Sequence, residues 1–144
     1  MNRHPADILA EGRHVYTLRV YYEDTDAGGV VYYANYLRYI ERARGEWLRQ
    51  HGLSQRALAA DPGVLFAVVT LEAHYRRPAR LDDLLAISCL PAREGAAGIR
   101  FEQQIWVEGR PDEILFDARV HAVCLGATSF KPRRLPQQVS RVLP

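Results

Sequence analysis

Apolar positions change their spacing twice along the chain, and each change marks a different kind of element. From His14 to Glu23 the pattern alternates weakly and is rich in Tyr and Val, which predicts a strand. Apolar residues then recur at helical spacing, at Tyr36, Ile40, Ala43 and Trp47, flanked by Leu37 and Leu48. Asn35 is placed as the N-cap of this helix, which runs to about His51, and Gly52 as its stop. About 17 residues at ~1.5 Å each make a rod of roughly 25 Å, long enough to cross a sheet. Ser54 caps a short Ala-rich turn that Asp61-Pro62-Gly63 breaks. Beyond it lie four strand-length runs, Val64–Tyr75, Leu84–Leu90, Ile99–Val107 and Glu113–Leu125. Alternation is clearest in the third, with Ile99, Phe101, Gln103, Ile105 and Val107 on one side.

Strand, long helix, then four strands predicts an α+β fold, an antiparallel sheet wrapped around one long central helix. The separators after Tyr75, Leu90 and Val107 carry turn residues, and short connections favour antiparallel neighbours. Such a sheet has open edges that a protein must pair or protect, so a homo-oligomer, dimer or tetramer, is expected. Residues 1–12 read as a flexible polar leader and 13–130 as a single domain. The segment 131–144, with Lys131, Arg133 and Arg134 among prolines, reads as a loose basic tail.

Composition narrows the function classes. A chain of 144 residues suffices for one core, and a net charge of +2 gives no electrostatic case for nucleic-acid binding. The two cysteines, Cys89 and Cys124, lie in apolar runs without metal-ligand spacing and read as buried thiols of a reducing compartment. No signal-like or membrane-length apolar stretch occurs, which predicts a cytoplasmic protein with no membrane span.

The chemistry concentrates in Tyr22-Glu23-Asp24-Thr25-Asp26-Ala27-Gly28-Gly29-Val30-Val31-Tyr32, between the first strand and the long helix. Gly28 and Gly29 permit backbone shapes closed to other residues and close approach by a ligand. The helix start supplies unpaired N–H groups and a partial positive charge. Backbone donors around Val31, Tyr32 and Tyr33 are therefore candidates for holding an oxyanion, with Tyr33 and Asn35 as orienting groups. Asn35 serves equally well as a plain N-cap. Asp24 suits a supporting role, accepting loop N–H groups. Asp26 either closes an Asx-turn or works on a carbonyl. A calcium loop would need ligands at the positions of Gly28 and Asn35, so no metal is expected. A Gly-x-Ser-x-Gly elbow and a Cys–His pair are both missing, which excludes the common serine and cysteine hydrolases. Glu41 and Arg44, one helical turn apart, are expected to pair, and His74 and His121 read as structural.

The run from Tyr21 to Tyr32, continued by Ala34-Asn35-Tyr36-Leu37, Glu41-Arg42-Ala43-Arg44 and Tyr75-Arg76-Arg77-Pro78-Ala79-Arg80-Leu81-Asp82-Asp83, resembles the hot-dog-fold acyl-CoA thioesterases. It is most similar to their YbgC-type, Tol–Pal-associated branch, related to 4-hydroxybenzoyl-CoA thioesterase. The resemblance implies a hot-dog fold and hydrolysis of acyl-coenzyme A to free acid and CoA, with Asp26 as nucleophile or general base. It implies no cofactor, since coenzyme A is part of the substrate, and it leaves an acyl carrier protein open as a partner. Active sites at a subunit interface follow from the same likeness. Many YbgC-type chains carry His where this one has Tyr33. Coenzyme A phosphates need cations, for which Arg76, Arg77 and Arg80 form the densest cluster, although a solvated arginine rim fits the same spacing. The competing class is a hot-dog module that binds acyl chains or proteins without turnover.

Overall fold

The computed structural model describes residues 14–144, so the leader expected over residues 1–12 lies outside the described residues. The first strand, β1 (His14–Arg19), stops short of Glu23. Residues Tyr22–Asp24 instead form one 3-10 turn, because the Asp24 carboxylate accepts the Tyr21 N–H at 2.8 Å and draws the chain out of the ladder.

The long helix α1 (Asn35–Gln50) buries Tyr36, Tyr39, Ile40, Ala43, Trp47 and Leu48. Tyr39, absent from the expected apolar stripe, is fully buried, while Leu37 is only half-buried. Asn35 is not the N-cap. Ala34 occupies that position, without a capping side chain, and Asn35 is the first helical residue. The expected stop at Gly52 has its physical basis in a φ of +76°. Ser54 caps the short helix α2 (Gln55–Ala60), its hydroxyl accepting the Ala57 N–H at 3.1 Å.

Strands β2 (Val64–Tyr75), β3 (Leu84–Glu94), β4 (Gly98–Val107) and β5 (Phe116–Gly126) complete a five-stranded antiparallel sheet of order β1-β3-β4-β5-β2. Strand β3 runs past Leu90, and β5 begins later than Glu113 because the backbone of Leu115 is used elsewhere. Its N–H donates to Ile105 and its carbonyl accepts from Arg76 and Arg77.

The expectation that successive strands pair fails at one place. Strand β2 pairs with β5 at one edge, and residues 76–83 carry the chain across the end of the sheet to β3. Eight residues reach up to ~26 Å, ample for three strand spacings of ~4.8 Å. This crossing brings Ala79 and Arg80 against the acid-glycine loop.

The helix face of the sheet and α1 share one core, including Leu85, Ile87, Ile105, Phe116 and Val120. Gln103 lies in that core: its Nε2 donates to the Ile40 carbonyl at 2.9 Å and its Oε1 accepts from Arg44 Nη1 at 3.0 Å. Arg44 therefore binds the sheet in place of the expected ion pair with Glu41, and its guanidinium lies 5.8 Å over the Phe101 ring.

The tail is not loose. Pro132 bridges Leu125, the Leu135 N–H donates to Ala96, and a last short helix α3 (Gln137–Ser140) follows. Leu135 and Val139 are buried in the common core, which outweighs the local pull of prolines and charges.

Candidate active site

The acid-glycine loop is built from short-range bonds. Asp26 Oδ1 accepts the Gly28 N–H at 2.8 Å, the Asp26 N–H donates to Val30, and the Gly29 N–H returns to the Asp26 carbonyl. Gly29 has a φ of +77°, which only glycine adopts readily. A Cβ on Gly28 would stand 3.2 Å from Asp26 Oδ1, so that glycine gives the carboxylate its room. Asp26 is thus held by an Asx-turn, exposed, with Oδ2 free of protein partners among the described residues.

Asp24 ties the loop to the helix. Oδ2 takes the Tyr21 N–H, Oδ1 takes Asn35 Nδ2 at 2.9 Å, and its carbonyl takes the Tyr32 N–H at 2.9 Å. Asn35 Oδ1 in turn accepts from Arg38 Nη1 at 2.9 Å. Beneath this chain the Tyr39 hydroxyl is buried without a well-formed hydrogen bond, and its pKa is pushed up by burial and by the Asp24 carboxylate.

The expected row of oxyanion donors is shorter than the sequence suggested. The Val31 N–H donates to the Ala79 carbonyl at 2.9 Å and that of Tyr32 to Asp24, so the fold uses both. The N–H groups of Tyr33 and Ala34 remain without acceptors among the described residues, at the start of a 16-residue helix. The Tyr33 side chain is 63% exposed.

Two tyrosines fix this corner; the sequence reading had Tyr36 only in the apolar stripe and Tyr75 only at a strand end, with no hydrogen-bonding role for either. Tyr36 stacks on Phe116 and its hydroxyl accepts the Ala79 N–H at 3.0 Å, holding the crossing segment that in turn holds Val31. Burial raises the Tyr36 pKa, with further upward contributions from Asp26 and Asp83. Tyr75, at the end of β2, donates its hydroxyl to the Tyr33 carbonyl at 2.8 Å. A tyrosine in a core stripe needs a hydroxyl partner, and that is the one sequence signal that pointed here.

The arginine cluster divides. Arg76 pairs with Asp117, which also holds His74 Nδ1 at 3.2 Å, and Arg77 lies 3.7 Å from Glu113. The guanidinium of Arg80 is without a partner among the described residues, while its backbone bridges Val30 in the loop. His121 stands 3.8 Å from Glu94, away from the loop. Among the described residues no cluster of His, Cys, Asp or Glu could hold a metal ion.

Further along α1, a cavity of about 190 Å³ opens between helix and sheet, lined by Arg44, Trp47, Leu48, Phe66, Ile99 and Phe101 among others. Burial lowers the Arg44 pKa from its ordinary value.

Residues 28–114 match the family model of the thioesterase superfamily. The chain belongs to that superfamily and is a thioester hydrolase. It is 44% identical over 122 residues to the acyl-CoA thioester hydrolase YbgC of Escherichia coli, covering 85% of this chain and 89% of that protein. It is 41% identical over 124 residues to the acyl-CoA thioesterase YbgC of Haemophilus influenzae, covering 86% and 89%. Its structure is similar to that of a 1,4-dihydroxy-2-naphthoyl-CoA thioesterase from Synechocystis, with a TM-score of 0.85, 25% identity, and 92% and 96% of the two chains covered. Helix and antiparallel sheet together make the hot-dog fold that these thioesterases share. No helix among the described residues is long and apolar enough to cross a membrane.

Proposed function

We propose that this thioesterase hydrolyses acyl-coenzyme A to the free acid and CoA, with Asp26 as the reactive carboxylate. The observation that carries the reading is an exposed Asp26, pinned by one oxygen to Gly28, in a loop that leads into the unpaired Tyr33 and Ala34 N–H groups. The free oxygen of Asp26 either attacks the thioester carbonyl, giving an anhydride that water opens, or takes the proton of an attacking water. Both routes put negative charge on the carbonyl oxygen, where the two N–H groups and the helix start stabilise it. Collapse of that intermediate expels the CoA thiolate, a good leaving group that needs little acid help.

Substrate features follow from the surroundings. Arg80, whose guanidinium has no partner among the described residues, is the residue for a CoA phosphate, in place of Arg76 and Arg77. Benzene fits a cavity of ~150 Å³, and the 190 Å³ space, which Glu41, Arg44 and Gln55 line beside Trp47, Phe66 and Phe101, has room for a short or single-ring acyl group. Edge strand β2 exposes Val68, Val69 and Leu71, which favours a homodimer formed by a second copy of that strand. Antiparallel pairing about Val69 would set the Tyr75 end of one strand beside the Phe66 end of the other. The acid loop of one copy would then face the cavity of its partner. A CoA substrate and the burial of Cys89 and Cys124 agree with a cytoplasmic place.

The deciding experiment is free-thiol release from acyl-CoAs of graded length and with aromatic acyl groups. Steady turnover that disappears in Asp26→Asn supports the reading. Binding without thiol release would reassign the protein as an acyl-binding module whose Asp26 merely closes the turn.

A further inference from the structure

Tyr75 stands on the edge strand, outside the acid-glycine loop, yet its hydroxyl reaches the turn that begins α1. Tyr33 precedes the N-cap Ala34, and its carbonyl is not taken up by the helical ladder. The Leu37 N–H turns to Ala34, at 3.2 Å, and the Asn35 N–H to Tyr32, at 2.8 Å. The acceptor left over is filled from across the groove by Tyr75 Oη at 2.8 Å. The Tyr75 ring is gripped for this task. It packs edge-on against Phe116 at 5.0 Å, Tyr36 at 5.3 Å and Tyr33 at 6.4 Å, while 48% of the residue stays exposed. Burial of the phenol raises its pKa, so it remains a donor at neutral pH.

We propose that Tyr75 is a positioning residue for thioester hydrolysis: its hydroxyl fixes and polarises the Tyr33–Ala34 peptide, whose N–H donates to the developing oxyanion. The carbonyl that Tyr75 grips and the Ala34 N–H belong to one amide plane. A bond to the carbonyl sets the direction of that plane and strengthens its N–H as a donor. Donors aimed in advance at the developing charge lower the barrier without a matching gain in ground-state binding. In this role Tyr75 acts through the Tyr33–Ala34 peptide and not on the thioester itself.

The proposal rests on the thioesterase reading, and its test separates the two. Tyr75→Phe keeps the ring and its packing and removes only the hydroxyl. Relative to wild type, kcat should fall about 5- to 20-fold, with KM within about twofold and an unchanged oligomer size. In amide spectra of the full-length protein, the Ala34 N–H resonance should move upfield while amides of β3 and β4 stay in place. Tyr75→Leu, which also removes the ring, should lower the melting temperature as well. A kcat within twofold of wild type in Tyr75→Phe overturns the proposal, as does an unmoved Ala34 resonance. A rise in KM with unchanged kcat overturns it too, because it would make Tyr75 a binding residue. Wild-type protein that releases no thiol from any acyl-CoA overturns the thioesterase reading first, and this proposal with it.

Discussion

Asn35 Nδ2 donates to Asp24 Oδ1 at 2.9 Å, across eleven residues of sequence, and this bond joins the first turn of α1 to the start of the acid loop. With the Tyr21 N–H on its other oxygen, the Asp24 carboxylate is fully engaged in holding the loop's shape. Asp24→Asn turns one acceptor into a donor facing another donor, and should lower folding stability by about 1–2 kcal/mol. Urea unfolding checks it, and activity should drop less than in the neighbouring Asp26 variant.

Among the described residues Asp26 makes one protein bond with its side chain, to Gly28 N–H, and Asn at this position can still accept it. Asp26→Asn should therefore fold and assemble as wild type while kcat falls by at least about 10²-fold, the scale of a lost general base. Near-normal turnover would shift the chemistry to Tyr33 and the backbone donors.

The three arginines should separate in kinetics. Arg80→Ala removes a cation without a partner among the described residues and should raise KM for acyl-CoA several-fold with kcat nearly unchanged, since a phosphate far from the carbonyl is held alike in ground and transition states. Arg76→Ala leaves the Asp117 carboxylate without its guanidinium, so it should lower the melting temperature more than it alters KM. Equal KM values in all three single variants would assign the cluster to a solvated rim.

The edge of the sheet predicts assembly. Val69 lies at the irregularity in the β2–β5 register and is 53% exposed, so Val69→Lys leaves the monomer core intact and places a charge where a second β2 would pair. Light scattering should show loss of the dimer at micromolar concentration, together with loss of thiol release if the site is composite. A monomeric wild-type protein would remove the shared-site arrangement.

His14 supplies a pH dependence. Its Nδ1 is buried without a hydrogen bond among the described residues, and its pKa is lowered from 6.5 by burial, with Glu46 opposing and His51 adding to the shift. Protonation therefore favours the unfolded chain. The contribution to stability is full above pH ~6.5 and is lost as pH falls through the lower folded value. Between pH ~7.5 and ~5.5 the melting temperature should drop less in His14→Gln than in wild type. Identical drops would show that other groups set the acid limit.

Local pattern determined much of this protein. The helical spacing of Tyr36, Ile40, Ala43 and Trp47, the alternation from Ile99 to Val107 and the glycines at positions 28, 29, 52 and 63 act within a few residues. Their consequences could therefore be read in order along the chain. The acid loop was legible for the same reason, since the Asp26–Gly28 and Asp24–Tyr21 bonds span two and three residues.

What the tertiary structure decided involves partners far apart in sequence. Pairing of β2 with β5 placed β2 at the edge of the sheet, and it sent residues 76–83 across to the loop. That crossing gave Val31 an acceptor in Ala79 and withdrew it from the oxyanion donors, while Asn35 lost its capping role to a distant carboxylate. Tyr75 met Tyr33 across 42 residues, and Leu135 and Val139 gained a core no local pattern announces. Each of these hydrogen-bonding groups and apolar surfaces had several possible partners, and only the packing of helix on sheet selected among them.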